Sequence, residues 1–177
     1  MNESIIAGNI VSLIASICSL ISTSRKSYKE TMQWQTIDAA LFALSNLILG
    51  GTSGLVTNSI ASIRAFCCSK YEMNKALKVG FILLTAVLGI VFRDTAWYGV
   101  LPLIASISYA IVVLSTDNVI ALKIILIINN ILWGTYAIMI ISVVSMVFNT
   151  VSLILCTLSL ISIISGRHTD KAVENKI

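Results

Sequence analysis

Charged side chains are scarce in this chain. Asp, Glu, Lys and Arg make up 11% of its 177 residues, whereas soluble domains carry roughly 25%. Hydrophobic residues make up 57%, and a chain of this length cannot bury so much apolar surface inside a soluble fold. The shortage of charge therefore excludes a soluble domain. It predicts an all-α membrane protein, because every backbone polar group inside a bilayer must pair within its own helix.

Residues that carry catalysis and metal binding are also sparse. The single histidine, His168, lies in a polar C-terminal stretch, and the four cysteines have no CxxC spacing. The chain contains no serine, histidine and acid set, no phosphate-binding loop and no paired carboxylates. We interpret the cysteines as small packing residues. The sequence therefore offers no support for an enzyme and predicts neither a metal nor another cofactor.

The basic residues lie beside apolar segments. The formal charge is +4, but this placement indicates topology signals and argues against nucleic acid as a partner. With seven crossings, eleven of the twelve Lys and Arg residues fall on one side of the bilayer, and Arg93 falls on the other. That bias predicts the N-terminus outside and the C-terminus in the cytoplasm. The eleven residues are Arg25, Lys26, Lys29, Arg64, Lys70, Lys75, Lys78, Lys123, Arg167, Lys171 and Lys176.

Three short sequence matches divide the chain into two similar halves, and an almost entirely apolar stretch at residues 77–92 separates them. Two copies of a three-segment unit are parallel only if one additional crossing lies between them. The repeat therefore predicts seven transmembrane helices, arranged as two parallel three-helix repeats joined by a linker helix. The matches are LIASI (13–17 and 103–107), SNLILG with NNILWG (45–50 and 129–134) and NSIA with NTVS (58–61 and 149–152).

The predicted domain organisation follows from this repeat. Residues 1–70 form the first three-helix repeat, 71–94 the linker transmembrane helix, 95–165 the second three-helix repeat and 166–177 a cytoplasmic tail. We place the turn between segments six and seven near residues 137–141, because the first copy turns directly after its SNLILG stretch. The predicted segments cover about residues 4–23, 36–49, 55–68, 77–92, 96–115, 119–137 and 140–165.

Asparagine side chains inside apolar segments are costly unless their several donors and acceptors are satisfied. We therefore predict that Asn58, Asn130 and Asn149 line a central polar cavity, with Trp133 as a stacking wall. The alternative is that these amides form hydrogen bonds between helices and bind no ligand. Serines recur at helical spacing in the first and last segments, and we interpret them chiefly as small residues that let helices pack closely.

Three further residues are candidates for gating or coupling. Asp38 is the only carboxylate within an apolar segment. It either couples a proton or holds the first loop near the cytoplasmic headgroups. Arg64, one turn inside the end of segment three, either reaches the headgroup phosphates or pairs with Asp38. Pro102 is the only proline. Within segment five it removes a backbone hydrogen bond, which predicts a kink that acts as a hinge.

The order of several short motifs resembles a known family over nearly the whole chain. Gly50, Gly54 and Arg64, then Leu101-Pro102, then Asn130 with Gly134 and finally Asn149 follow one another as in the YgjV-type bacterial inner-membrane proteins. The resemblance implies a location in the bacterial inner membrane. The plan of three, one and three helices is also similar to the SWEET and PQ-loop (MtN3-like) transporters, which implies alternating access through a central cavity. The proline-glutamine pair of the PQ-loop group is absent.

These expectations combine into a predicted function. Neutral amides in the interior favour a facilitator or carrier for a small polar solute, uncharged or zwitterionic, with SWEET-like alternating access. Its partners would be the lipid bilayer and that solute, and homo-oligomerisation stays open. The alternative is a non-transporting integral membrane protein that binds a lipid, a peptide or a partner subunit through its helix faces or basic loops. A third reading is a structural role with no ligand.

Overall fold

The computed structural model describes residues 3–24, 28–71, 73–115 and 119–174. These residues form seven α-helices and one short 3-10 helix, with no β-strand among them, so the predicted all-helical fold is confirmed. Arg25, Lys26 and Lys176 of the predicted basic side lie outside the described residues. The α-helices are α1 (Glu3–Ser24), α2 (Tyr28–Leu49), α3 (Thr52–Lys70), α4 (Lys75–Val91), α5 (Leu101–Ser115), α6 (Val119–Met139) and α7 (Val143–Glu174), and the 3-10 helix spans Trp97–Val100.

The second helix is longer than the sequence pattern predicted. It begins at Tyr28 and not near residue 36. The polar residues Gln33 and Gln35 continue the helix, since glutamine is a good helix former. Asp38 is therefore the eleventh of the 22 residues of α2. The carboxylate lies halfway along a helix, whereas the sequence pattern had placed it near a helix end.

Two turns of the bundle have a similar backbone shape. Gly50 follows α2 with a φ of 78°, and Ile141 follows α6 with a φ of 59°. Both values lie in the left-handed region, which glycine adopts freely and isoleucine rarely. After each, the next helix begins two residues later. Gly134 lies inside α6, so the expected correspondence between NNILWG and SNLILG is wrong. No glycine marks the second turn in the sequence.

Six of the seven described α-helices form a closed ring. In the order α1, α2, α3, α5, α6 and α7 each helix contacts the next, and α7 contacts α1. The remaining helix, α4, packs outside the ring against α3 and α5, where Gly89 lies against Leu103. Leu83, Ile90 and Val91 on α4 are each 60% or more exposed. The linker helix thus presents an apolar face outward.

Small residues fill the contacts between ring helices. Ser12, Ala15 and Ala105 are fully buried, and Ala43 and Ser45 nearly so. Large apolar side chains lie instead on the outer surface of most helices. This arrangement is typical of helices that pack in a membrane, because lipid solvates the apolar side chains and small residues allow the backbones to approach closely.

Two helical stretches of the described chain, Glu3–Ser22 and Val143–Ser165, are long and apolar enough to cross a membrane by length and composition. Two further apolar stretches, Trp97–Val112 and Lys123–Met139, are shorter. The helices α2 and α3 carry several of the polar side chains that face the interior of the ring, and these side chains lower their hydropathy.

Candidate functional site

The ring of helices surrounds a cavity of about 260 Å³ that is lined by both polar and apolar side chains. At the roughly 30 Å³ that a water molecule occupies in the liquid, this volume corresponds to about nine waters. All six ring helices contribute lining side chains, and none of the described lining residues comes from α4. The cavity therefore has the size of a small solute. Its polar lining residues are Ser19, Gln35, Asp38, Asn46, Asn58, Arg64, Tyr109, Asn129, Tyr136, Ser145 and Asn149.

The two charged lining residues face the cavity from adjacent helices, α2 and α3. Asp38 is 9% exposed, and its carboxylate accepts a hydrogen bond from the Ser19 hydroxyl. Arg64 lines the same cavity, yet the described residues contain no ion pair between its guanidinium and Asp38. Tyr109 lies close enough to both charges to interact with each. Of the two alternatives predicted for Arg64, the pair with Asp38 is therefore not formed, and both side chains can contact a third group in the cavity.

Three of the predicted cavity residues do meet in the interior. Asn58 and Asn149 both line the cavity, and each is the seventh residue of its helix, α3 or α7. The Asn149 Nδ2 donates to the Ser145 carbonyl at 2.7 Å. Trp133 lines the cavity with its ring edge-on to Tyr136, the two ring centroids being 6.0 Å apart. Amides and an aromatic ring thus share the wall, as the sequence predicted.

The prediction that Asn130 lines the cavity is wrong. Its Nδ2 donates to the Leu126 carbonyl at 2.8 Å within α6, and its neighbour Asn129 lines the cavity instead. Successive residues of an α-helix are rotated by about 100°, and at this position the rotation brings Asn129, and not Asn130, among the described lining residues. The Asn129 Oδ1 is buried and has no hydrogen-bond partner among the described residues. This oxygen is an unsatisfied acceptor inside the ring of helices.

One end of the cavity is covered by hydrogen bonds around Asp94, which lies between α4 and the 3-10 helix. Its carboxylate accepts from the backbone N–H groups of Thr52 at 2.7 Å and Ser53 at 3.3 Å, and its own N–H donates to the Ser53 Oγ at 2.7 Å. The Tyr136 hydroxyl donates to Asp94 Oδ2 and accepts from the Gly54 N–H, both at 3.0 Å. These five residues, the Asp94 network, join α3, α6 and the loop after α4. Tyr136 is 1% exposed although it lines the cavity, so the network closes this end.

A second set of hydrogen bonds joins α1, α2 and α7 at the same end. The Asn9 Nδ2 donates to the Ile141 carbonyl at 3.2 Å, and the Asn9 Oδ1 accepts from the Val144 N–H at 3.0 Å. The hydroxyls of Ser12 and Ser45 are 2.6 Å apart. The first turn of α7, like that of α3, is therefore capped by a side chain from another element.

Pro102 does not kink the interior of a helix, and the expected hinge within segment five is wrong. The 3-10 helix ends at Val100 and α5 begins at Leu101, so Pro102 is the second residue of α5. The first N–H groups of an α-helix have no partner within the helix, and a proline there removes no intrahelical hydrogen bond. Pro102 is fully buried and is absent from the residues that line the cavity.

The sequence did not single out Asn46, Tyr109, Tyr136 or Asp94 as site residues. A signal existed for Tyr136, since it follows Asn129 and Trp133 at helical spacing. Asp94 carried no local signal, because Thr52 lies 42 residues before it and Tyr136 lies 42 residues after it. Only the fold brings these groups together.

A bundle of apolar helices with small residues between them, an apolar outer surface and a polar cavity inside defines an α-helical membrane protein. Residues 6–166 match the model of the Imp-YgjV family, described as bacterial inner membrane protein. The chain belongs to this family, and the family and inner-membrane location expected from the sequence are confirmed. No curated protein and no solved structure matches the chain.

Proposed function

We propose that this protein is a carrier or facilitator for a small polar solute and that the cavity is its solute site. The observation that carries the proposal is the convergence of polar side chains from all six ring helices on one interior volume. Hydrogen bonding between helices alone would pair such groups with one another, whereas the Asn129 Oδ1 has no partner in the described part of the chain. Polar side chains from several helices around a volume of this size suit a polar ligand.

Several features support the idea that the ring consists of two three-helix units. One arc of the ring contains α1 to α3 and the other α5 to α7, with α4 outside both. The two LIASI stretches fall in α1 and α5. The left-handed turns at Gly50 and Ile141, and the amides of Asn58 and Asn149, fall at matching places in the two arcs. Arcs that meet along two seams, α3 with α5 and α7 with α1, can rock against each other, which is the motion that alternating access requires.

The distribution of charge supports the orientation expected from the sequence. Arg93 is next to the Asp94 network, whereas Lys70 and Lys75 flank the loop between α3 and α4 at the other end of the bundle. Because basic residues accumulate on the cytoplasmic side, the Asp94 network belongs to the outer surface. In this orientation the protein is closed to the outside, with its N-terminus outside and its C-terminus in the cytoplasm.

The proposal is tested by reconstituting the full chain into proteoliposomes and measuring uptake of radiolabelled glucose, glycine, glutamine, leucine and phenylalanine. Asn58→Leu and Asn149→Leu each remove a lining amide. We expect each to lower uptake of the transported solute about 5-fold or more, because one hydrogen bond contributes about 1 kcal/mol. Asn130→Leu is the matched control, since the same change on the face away from the cavity should leave uptake unchanged.

Two results would count against the proposal, the first against transport and the second against the cavity as the solute site. Either no solute of the panel is taken up, or Asn149→Leu and Asn130→Leu behave alike. Binding of a solute without uptake would instead fit the alternative function, a non-transporting membrane protein that binds a ligand in its interior.

A further inference from the structure

We propose that the solute is an α-amino acid with an uncharged side chain, bound as a zwitterion with its ammonium group against Asp38 and its carboxylate against Arg64. This inference rests on the proposed function, because it names the class of solute for the same cavity. It is carried by the placement of one carboxylate and one guanidinium on adjacent helices, facing one volume without pairing with each other.

The ionised form of Asp38 is stabilised by a compensating group. Asp38 is 9% exposed, and a charge so far from water is costly unless an opposite charge or several hydrogen bonds stabilise it. The Ser19 hydroxyl and the Ala39 N–H supply hydrogen bonds and no positive charge. Among the described residues, Arg64 is the positively charged one that lines the cavity, and it forms no ion pair with Asp38. An ammonium group of a ligand would supply the missing charge.

Arg64 also faces the cavity without forming an ion pair with Asp38. Its guanidinium carries five N–H donors in a planar arrangement that matches a carboxylate. Tyr109, Arg64 and Asp38 all line the same cavity, so a single bound ligand would have access to both charged residues. A ligand with one positive and one negative group would satisfy both and would add no net charge to the interior.

Other classes of small solute match the two opposite charges of Asp38 and Arg64 less well. A sugar would leave both charges without an ionic partner, an organic anion would be repelled by Asp38, and an organic cation would be repelled by Arg64. No further charged side chain lines the cavity among the described residues, which favours an uncharged side chain on the ligand. The aromatic rings of Phe42 and Phe148, 6.4 Å apart between α2 and α7, provide an apolar wall for it.

A cavity of about 260 Å³ is large enough to hold a small α-amino acid.

The first test uses the wild-type protein alone and therefore does not depend on variants that fold. Equilibrium binding of radiolabelled glycine, glutamine, leucine, phenylalanine and glucose to the full chain in nanodiscs identifies the tightest amino acid. Its N-acetyl derivative, which lacks the ammonium charge, and its methyl ester, which lacks the carboxylate charge, then serve as unlabelled competitors. We expect each derivative to bind about 10- to 100-fold more weakly than the parent, the range for loss of a charge-assisted hydrogen bond.

The second test assigns each charge to its residue. We expect Asp38→Asn to weaken the parent amino acid about 10- to 100-fold and to leave the N-acetyl derivative within about 2-fold of its wild-type affinity. Arg64→Gln should likewise weaken binding of the parent amino acid about 10- to 100-fold and leave the methyl ester within about 2-fold of its wild-type affinity. Glu30→Gln on α2 and Lys70→Gln on α3 are the matched controls, because both residues are exposed and neither lines the cavity.

The outcomes separate this inference from the proposed function. If glucose binds and is taken up while the amino acids do not bind, the zwitterion is refuted and transport stands. If the N-acetyl derivative binds as tightly as the parent, the site takes anions and the inference is overturned. If nothing in the panel binds or is taken up, both proposals fail.

Discussion

Replacing Asp94 by alanine removes the acceptor at the centre of the Asp94 network. The carboxylate accepts hydrogen bonds from two backbone N–H groups at the start of α3 and from the Tyr136 hydroxyl. These bonds link elements at one end of the cavity, so in the proposed alternating-access carrier they contribute to the closed state and are lost when that end opens. The substitution should therefore shift the equilibrium between the two states towards the open one.

The size of the shift follows from the two groups that lose their acceptor. A helix that loses its capping side chain is destabilised by about 1 kcal/mol. A buried hydroxyl that loses its acceptor costs about 1 kcal/mol more. Together they favour opening by about 2 kcal/mol, which corresponds to about a 30-fold change in the population ratio.

The assay is the rate at which a thiol inside the cavity reacts with a membrane-impermeant reagent. In a background with the four native cysteines replaced by serine, Ala61→Cys places a single thiol on the cavity wall at the middle of α3. Applied to spheroplasts from outside, the reagent should label this thiol up to about 30-fold faster in the Asp94→Ala protein. Arg93→Ala, an exposed neighbour in the same loop, controls for general loosening of the loop and should leave the rate unchanged.

The contrary outcome is an equal labelling rate in the Asp94→Ala and Arg93→Ala proteins when both are correctly folded. That result would refute the proposal that the Asp94 network closes the outer end of the cavity. Tyr136→Phe provides a second variant, because it removes the hydroxyl that donates to Asp94 and accepts from the Gly54 N–H, and it leaves the bonds from the Thr52 and Ser53 N–H groups to Asp94 in place. We expect an increase of about 5- to 30-fold, the equivalent of one to two hydrogen bonds.

Two further predictions concern packing and orientation. At Gly54 a Cβ atom would lie 2.6 Å from the nearest side-chain atom, so Gly54→Ala should lower the free energy of unfolding in detergent by about 1–3 kcal/mol. Gly80→Ala in α4 meets nothing within 4 Å and should be neutral or stabilise by up to about 1 kcal/mol, and equal losses at the two sites would contradict the packing at Gly54. For orientation, Thr95→Cys should be labelled by the impermeant reagent in intact spheroplasts and Lys75→Cys only after lysis, and the reverse pattern would invert the proposed topology.

The sequence predicted the helices well because the signals for helices are local. Long apolar stretches and amides among them were sufficient to place Asn58, Asn149 and Trp133 on a shared cavity. The position of Asp38 halfway along α2 was missed because Gln33 and Gln35 resemble the end of an apolar segment, although such residues continue the helix here. Polar composition alone does not distinguish an end of a span from a face that lines a cavity.

The remaining errors concern helix phase and contacts distant in sequence. Asn129 and Asn130 are adjacent and chemically identical, so only the rotation of α6 within the ring decides which one lines the cavity. Ile141 takes a backbone conformation that sequence patterns assign to glycine. Asp94 forms hydrogen bonds with Thr52 and Tyr136, each 42 residues away in the sequence. A periodic pattern of residues along the chain cannot predict contacts at such a distance.

The position of α4 has a consequence for how the chain can vary. This helix touches its neighbours along one side and gives no described side chain to the cavity. Its outward residues are therefore constrained in length and hydrophobicity but not in identity, and exchanges among leucine, isoleucine and valine there should accumulate freely. Gly89 is different, since a larger residue would collide with Leu103 on α5 and push α4 away from the ring of helices.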